Sequence, residues 1–215
     1  MAEITISRAD SACVAFPAVD MILTDPPYEL PGADVARIIE RIDSQHMVLI
    51  TTMSQLIDFL RAAPSWRLNF DFVLDGVAPK QSKSRLQPNY LHQTGVYLTR
   101  GKVKSRFSRF LRPRSDVAEA NGYWPTIIRA PRINRDVFSY SKNATAITDI
   151  LGSFNVASVA DPFAGAGVTG LAAIELEIDA FLVEQDNETF AIMRDALNFM
   201  ATVCTTITEN NLEST

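Results

Sequence analysis

The 215-residue chain has little of the chemistry that metal and thiol sites use: two cysteines and two histidines in all. Cys13 and Cys204 form no CxxC pair and have no histidine cluster beside them, so neither a disulfide framework nor a zinc site is indicated. Each reads as a buried apolar residue. Neither sits beside a proline or in a glycine-rich loop, so neither marks a thiol nucleophile. Long apolar runs are missing too, so no segment reads as a membrane helix. The opening MAEITISRAD has neither the basic start nor the apolar stretch of an export signal. A soluble, non-secreted protein is expected. With 47% hydrophobic residues, one domain with one core is the natural reading.

Acidic residues are scarce in one region only. Residues 1–75 carry 5 Lys/Arg against 11 Asp/Glu, residues 76–135 carry 13 against 2, and residues 136–215 carry 2 against 12. The net charge of −5 therefore hides a block of +11 between two acidic flanks, the footprint of a phosphate-binding segment in an acidic scaffold. Within it, Lys102 to Arg135 interleaves Lys104, Arg106, Arg109, Arg112 and Arg114 with Phe107, Phe110, Tyr123 and Trp124. Such a mixture suits phosphate contact plus base stacking, although the same aromatics could form a small core beneath the segment.

Elsewhere an α/β rhythm prevails. Strands are read at 3–7, 19–24, 47–50, 66–74, 95–99, 156–160 and 180–183, and helices at 33–42, 54–63, 145–154 and 187 to about 206, the last with a frayed polar tail. Strands 66–74 and 95–99 read as a hairpin around a loop from Pro79 to His92 that holds Lys80, Lys83 and Arg85. His92 has no nucleophile or acid paired with it and reads as structural.

Two stretches carry chemistry. Asp25-Pro26-Pro27-Tyr28 follows an apolar strand. Two prolines fix φ and remove two backbone donors, leaving an acid, bare carbonyls and a ring at one strand end. A flat hydrogen-bond donor fits there, such as the amino group of a nucleobase stacked on Tyr28. An ordinary strand-to-turn exit would read the same way. The second stretch is Asp161-Pro162-Phe163-Ala164-Gly165-Ala166-Gly167, with Thr169 and Gly170 following, then a helix, a strand and Glu184. A glycine loop with an acid 19 residues beyond Gly165 is the layout of an adenosine-containing cofactor site, a nicotinamide cofactor being open on those residues alone. Asp10, just past the first strand, is a candidate loop ligand.

With both stretches in view, the sequence resembles the amino-methylating DNA methyltransferases, which methylate N6 of adenine or N4 of cytosine and use S-adenosylmethionine. DPPY stands before DPFAGAG, as in the circularly permuted β class, and roughly residues 3 to 200 follow that pattern. The resemblance implies a Rossmann-like, mostly parallel sheet with one antiparallel hairpin. It divides the chain into a catalytic half (1–101), a basic target-recognition insertion (102–135) and a cofactor-binding half (136–215). It implies that Asp25, Pro26, Pro27 and Tyr28 are catalytic, and that Asp10, Lys142, Asp161, Phe163, Gly165, Gly167, Thr169 and Glu184 hold the cofactor. Lys104, Arg106, Arg109, Arg112 and Arg114 would meet double-stranded DNA.

Two departures stand out: Lys142-Asn143 where the family usually has Lys-Pro, and His92-Gln93 in place of His-Glu. Asp rather than Ser opening the first motif favours adenine N6 over cytosine N4. A DNA-binding relative that has lost catalysis is the rival from another class. A cytoplasmic place in a bacterium or phage-infected host, with restriction-modification as one setting, is the expected context. No metal or membrane partner is expected, and the oligomeric state, a homodimer included, is open.

Overall fold

The computed structural model describes residues 2–80, 90–108, 124–130, 144–201 and 205–211, with the backbone alone at 77–80, 90, 91 and 211. In chain order the elements are β1 (Ala2–Arg8), β2 (Met21–Thr24), α1 (Gly32–Ile39), β3 (His46–Thr51), α2 (Met53–Ala62), β4 (Trp66–Lys80) and β5 (Tyr90–Arg100). These are followed by β6 (Ile127–Arg129), α3 (Ala144–Leu151), β7 (Ser158–Asp161), α4 (Val168–Leu176), β8 (Asp179–Glu184), α5 (Asn187–Met200) and β9 (Thr205–Asn211). The strands form one sheet in the order β6-β4-β5-β3-β2-β7-β8-β1-β9. β5 runs antiparallel to both its neighbours, and every other adjacent pair is parallel.

The central strands are buried on both faces, which explains their unbroken apolar runs. Met21, Leu23, Val48 and Ile50 pack toward α3, α4 and α5, while Ile22, Met47 and Leu49 pack toward α1 and α2. The chain winds outward from β2 through α1 to β3 in one direction, and from β7 through α4 to β8 in the other. The strand order therefore reverses between β2 and β7. In open α/β sheets the crevice beyond the carboxyl ends of the strands at such a point is where ligands bind.

Helix starts follow local chemistry. Thr52 caps α2 by accepting from the Gln55 N–H (3.3 Å), and Asp186 caps α5 by accepting from the Thr189 N–H (2.9 Å). Gly32 sits against the first turns of α2, where a Cβ would collide with the Gln55 carbonyl and the Phe59 N–H. The glycine brings α1 and α2 close together.

Several expectations are corrected. The stretch read as a helix to about 206 ends at Met200, and Thr205–Asn211 pairs with β1, Ile207 opposite Ile4. Polar side chains on an edge strand hid it, while the β-branched Thr205-Thr206-Ile207-Thr208 suits a strand. The strands reach into the stretch read as a loop from Pro79 to His92, since β4 runs to Lys80 and β5 begins at Tyr90. Ile127–Arg129 forms a strand beside β4 that the reading of strands did not include. Cys13 is exposed, since it lies on the surface turn that follows Asp10, and Cys204 falls outside the described residues.

Candidate functional site

The C-terminal ends of β2 and β7 are tied together by one carboxylate. Asp161 is only 4% exposed, so its charge needs donors from the protein, and three are present. The Thr24 hydroxyl (2.7 Å) and the Phe163 N–H (3.0 Å) donate to Oδ1, and the Thr169 hydroxyl (2.6 Å) donates to Oδ2. The end of β2, the end of β7 and the first turn of α4 thus share one anchor. Above it opens a cleft lined by Asp25 from β2, by Asp161, Phe163, Gly165 and Thr169 from the β7–α4 connection, and by the apolar Ile50, Ile147 and Val168.

The glycine loop owes its shape to two left-handed residues. Gly165 has φ 54° and a Cβ there would meet nothing within 4 Å, so its backbone faces open space. Gly167 has φ 84°, and a Cβ would lie 2.6 Å from the Met193 Cγ of α5. Gly167 thus serves a tight turn against α5, and Gly165 leaves room at the cleft. The Gly165 N–H donates to Glu184 Oε2 (3.0 Å) and the Asp186 N–H to Oε1 (2.8 Å). Burial pushes the Glu184 carboxyl above the ordinary 4.5, partly opposed by N–H donors from Asp186, Gly165 and Gln185.

Asp10 lies next door. The Ala9 N–H bonds the Glu184 carbonyl (3.1 Å), and Asp10 follows on an exposed turn where its Oδ1 accepts from the Ala12 N–H (2.9 Å). Buried Ser11 fastens this turn through its hydroxyl to the Pro162 carbonyl, so the β1 exit and the DPF segment are joined directly.

On the β2 side, the Asp25-Pro26-Pro27-Tyr28 turn is held by a residue that sequence reasoning passed over. Gln55 at the start of α2 donates from Nε2 to the carbonyls of Pro27 (2.9 Å) and Leu30 (2.7 Å), while its Oε1 accepts from the Thr51 hydroxyl (2.7 Å). The Leu30 N–H also bonds the Pro27 carbonyl (3.0 Å). Of the two proline carbonyls expected to be bare, Pro27's is therefore occupied, whereas Pro26's meets no donor among the described residues. The Tyr28 hydroxyl is gripped by the Gln93 amide of β5. Burial raises its pKa to about 12, the Gln93 bond opposing and the Glu29 charge assisting, so the phenol is neutral at physiological pH.

The basic residues fall differently. β5 runs against β3, so residues 101–108 emerge at the edge where β2 and β3 begin, away from Asp25. There the Arg106 guanidinium pairs with Asp20 (3.0 Å) and donates to the Asn155 carbonyl (3.0 Å). Lys104 is exposed on the same stretch. Phe107 and Trp124 stack edge-on with each other (centroids 5.4 Å apart) and against Phe70, forming the small core that was one of the two readings of these aromatics. Arg109, Phe110, Arg112, Arg114, Tyr123 and Lys142 lie outside the described residues. Nothing in the sequence pointed to Thr24, Ser11 or Gln55 as parts of the site, because each acts through a contact made only in the fold, and Gln93 stood out only as a departure from the family's His-Glu.

No family model matches the chain, and no curated protein matches it. Solved structures do. A complex of M1.HpyAVI with SAM superposes with a TM-score of 0.67 at 21% identity, covering 90% of this chain and 100% of that one. TTHA0409 of Thermus thermophilus, a candidate DNA modification methylase solved with S-adenosyl-L-methionine, gives 0.66 at 13% identity over 99% and 100%. The cytosine-N4-specific PvuII DNA methyltransferase gives 0.69 at 15% identity over 92% and 86%. The chain shares their fold.

Proposed function

We propose that this protein is an S-adenosylmethionine-dependent DNA methyltransferase that methylates the exocyclic N6 of adenine. The observation that carries the reading is the meeting, in one cleft at the point of strand reversal, of Asp25, the acid that opens the Pro-Pro-Tyr turn, with a glycine loop backed by Glu184. The fold shared with M1.HpyAVI in complex with SAM, with TTHA0409 and with PvuII supports the same reading.

The residues present fit the cofactor. Gly165 leaves its backbone open to the cleft, and Glu184 stands behind it with both oxygens directed by backbone donors yet able to accept more. Glu184 would take the ribose hydroxyls, Asp10 the adenine, and Phe163 and Gly165 the methionine side. Bound there, S-adenosylmethionine supplies an electrophilic methyl group on a sulfonium.

The protein's own work concerns the acceptor nitrogen. An amino group on a nucleobase is a poor nucleophile because its lone pair is delocalised into the ring. Asp25 and the Pro26 carbonyl would accept hydrogen bonds from its two N–H groups and favour a tetrahedral nitrogen with the lone pair turned toward the cleft, one of those protons being released once the methyl group is in place. Holding the reacting atoms at about 3–3.5 Å supplies much of the acceleration. The base must leave the duplex, which costs about a few kcal/mol, and stacking on the tethered Tyr28 ring offsets part of it. The surplus of 13 Lys/Arg over 2 Asp/Glu in residues 76–135 would neutralise phosphates of double-stranded DNA.

A second reading, cytosine N4, is favoured by the likeness to the PvuII enzyme. One assay separates the two. Unmethylated mixed-sequence DNA is incubated with the protein and labelled S-adenosylmethionine, then digested to nucleosides and identified by mass. N6-methyladenosine is expected as its deoxynucleoside; N4-methylcytosine alone would move the assignment to the second reading, and no transfer would overturn both.

A further inference from the structure

We propose that Gln93 is a substrate-binding residue at this site: Nε2 of its amide donates to the Tyr28 hydroxyl, and Oε1 accepts an N–H of the bound nucleobase. The proposal rests on the methyltransferase reading above and deepens it.

Three observations carry it. The first is position. Gln93 lies on β5 opposite Leu74 of β4, and the next residue, Thr94, lies opposite Thr51 at the end of β3. That puts Gln93 at the edge of the sheet where the Asp25-to-Tyr28 turn leaves β2.

The second is the contact with Tyr28, the ring assigned to stack on the base. Two residues on, Gly95 lets β5 lie close against β4, since a Cβ there would strike the Phe72 ring. The bond from Gln93 ties the Tyr28 hydroxyl to this strand.

The third is the other end of the amide. Gln93 Oε1 is buried from solvent and meets no donor among the described residues. A buried acceptor left unpaired is costly, and proteins rarely keep one without a use. A planar substrate carrying an amino group, lying against Tyr28, brings the N–H that this atom lacks. On this proposal Oε1 would add a third acceptor to Asp25 and the Pro26 carbonyl, so that a hydrogen of the amino group could stay held as the nitrogen passes from planar to tetrahedral.

The test uses the full chain, labelled S-adenosylmethionine and unmethylated mixed-sequence DNA. It compares the wild type with Gln93→Met, Gln93→Glu, Tyr28→Phe and the double variant Tyr28→Phe/Gln93→Met. Gln93→Met, which keeps the length and loses both polar atoms, is expected to lower kcat/KM for DNA by roughly tenfold or more with cofactor Kd unchanged by calorimetry. Gln93→Glu, which keeps an acceptor, is expected to recover most of that loss. Gln93→Met is also expected to cost several-fold in the Tyr28→Phe background, since Oε1 acts without the hydroxyl.

The proposal is overturned if Gln93→Glu is as poor as Gln93→Met. It is equally overturned if Gln93→Met costs nothing further once the hydroxyl is gone, which would reduce Gln93 to positioning Tyr28. An active wild type with an indifferent Gln93→Met removes this inference alone. A wild type that transfers no methyl group removes the methyltransferase reading and this inference with it.

Discussion

The Thr24 hydroxyl donates to Asp161 Oδ1 at 2.7 Å, joining the ends of β2 and β7 across the point where the strand order reverses. The two halves of the cleft are therefore set relative to each other by a buried, charge-assisted hydrogen bond. Thr24→Val keeps the shape and removes the donor. It is expected to lower stability by about 1.5–3 kcal/mol, the range for a hydrogen bond to a charged group, read as a shift of the urea midpoint. Asp161→Ala strands three donors at once and should cost more. If Thr24→Val leaves the midpoint unchanged, the bond does not hold the halves together.

Asp25 lines the same cleft, and the proposed function assigns it to the methyl acceptor. Asp25→Ala is expected to abolish methyl transfer while leaving the affinity for S-adenosylmethionine nearly unchanged, since the groups assigned to the cofactor lie on the β7–α4 connection, at Asp10 and at Glu184. Turnover assays and calorimetry on the same preparation check this. Equal loss of both would place Asp25 in the cofactor site instead.

The general architecture was readable in the chain because its signals are local. Apolar runs such as Met21-Ile22-Leu23 mark strands buried on both faces, and the glycine loop announces a strand-to-helix turn. What could not be read depends on partners distant in sequence. β9 is a strand only because β1 offers its edge, and Gln55 and Gln93 matter only because α2 and β5 bring them to the Pro27-Tyr28 turn. The basic block shows the same limit. Composition located the charge, but the antiparallel course of β5 decided that Lys104 and Arg106 emerge at the far edge of the sheet.

The two left-handed glycines differ in what surrounds them, so their alanine variants should differ in kind. Gly167→Ala adds a Cβ at φ 84° that lies 2.6 Å from Met193 Cγ, combining backbone strain of about 1–2 kcal/mol with a clash. Gly165→Ala, at φ 54° with nothing within 4 Å, carries the strain alone. Thermal melts should show the larger loss for Gly167→Ala, partly relieved by Met193→Ala. Calorimetry should show the larger loss of cofactor affinity for Gly165→Ala, because its methyl group fills the open space at the cleft.

Glu184 gives two pH dependences of opposite sign. Its carboxyl is raised above 4.5 chiefly by burial, so in the free protein its contribution to stability is present below that value and is lost as pH rises through the raised one. Ribose hydroxyls donate to the ionised form, so cofactor affinity should rise over the same interval. Urea titrations and calorimetry from pH 4.5 upward are expected to diverge in this way. Affinity that is flat with pH would take Glu184 off the ribose.

Arg106 distinguishes a structural cation from one that meets nucleic acid in the proposed function. Its guanidinium is committed to Asp20 at 3.0 Å and to the Asn155 carbonyl at 3.0 Å, and its backbone N–H bonds the Tyr97 hydroxyl at 3.2 Å. Tyr97 in turn meets Nδ1 of buried His46 at 2.8 Å, and burial holds that imidazole below its ordinary pKa of 6.5. A cation engaged on this cluster has little left to give a phosphate. Arg106→Gln is therefore expected to lower the unfolding midpoint and leave the salt dependence of DNA binding nearly unaltered. A phosphate contact would reduce the slope of log K against log salt by about 0.9 per charge removed. Neutralising Arg109, Arg112 and Arg114 together is the comparison, with a flatter slope expected. A slope that falls by a full unit for Arg106→Gln alone would return that residue to the DNA-binding surface.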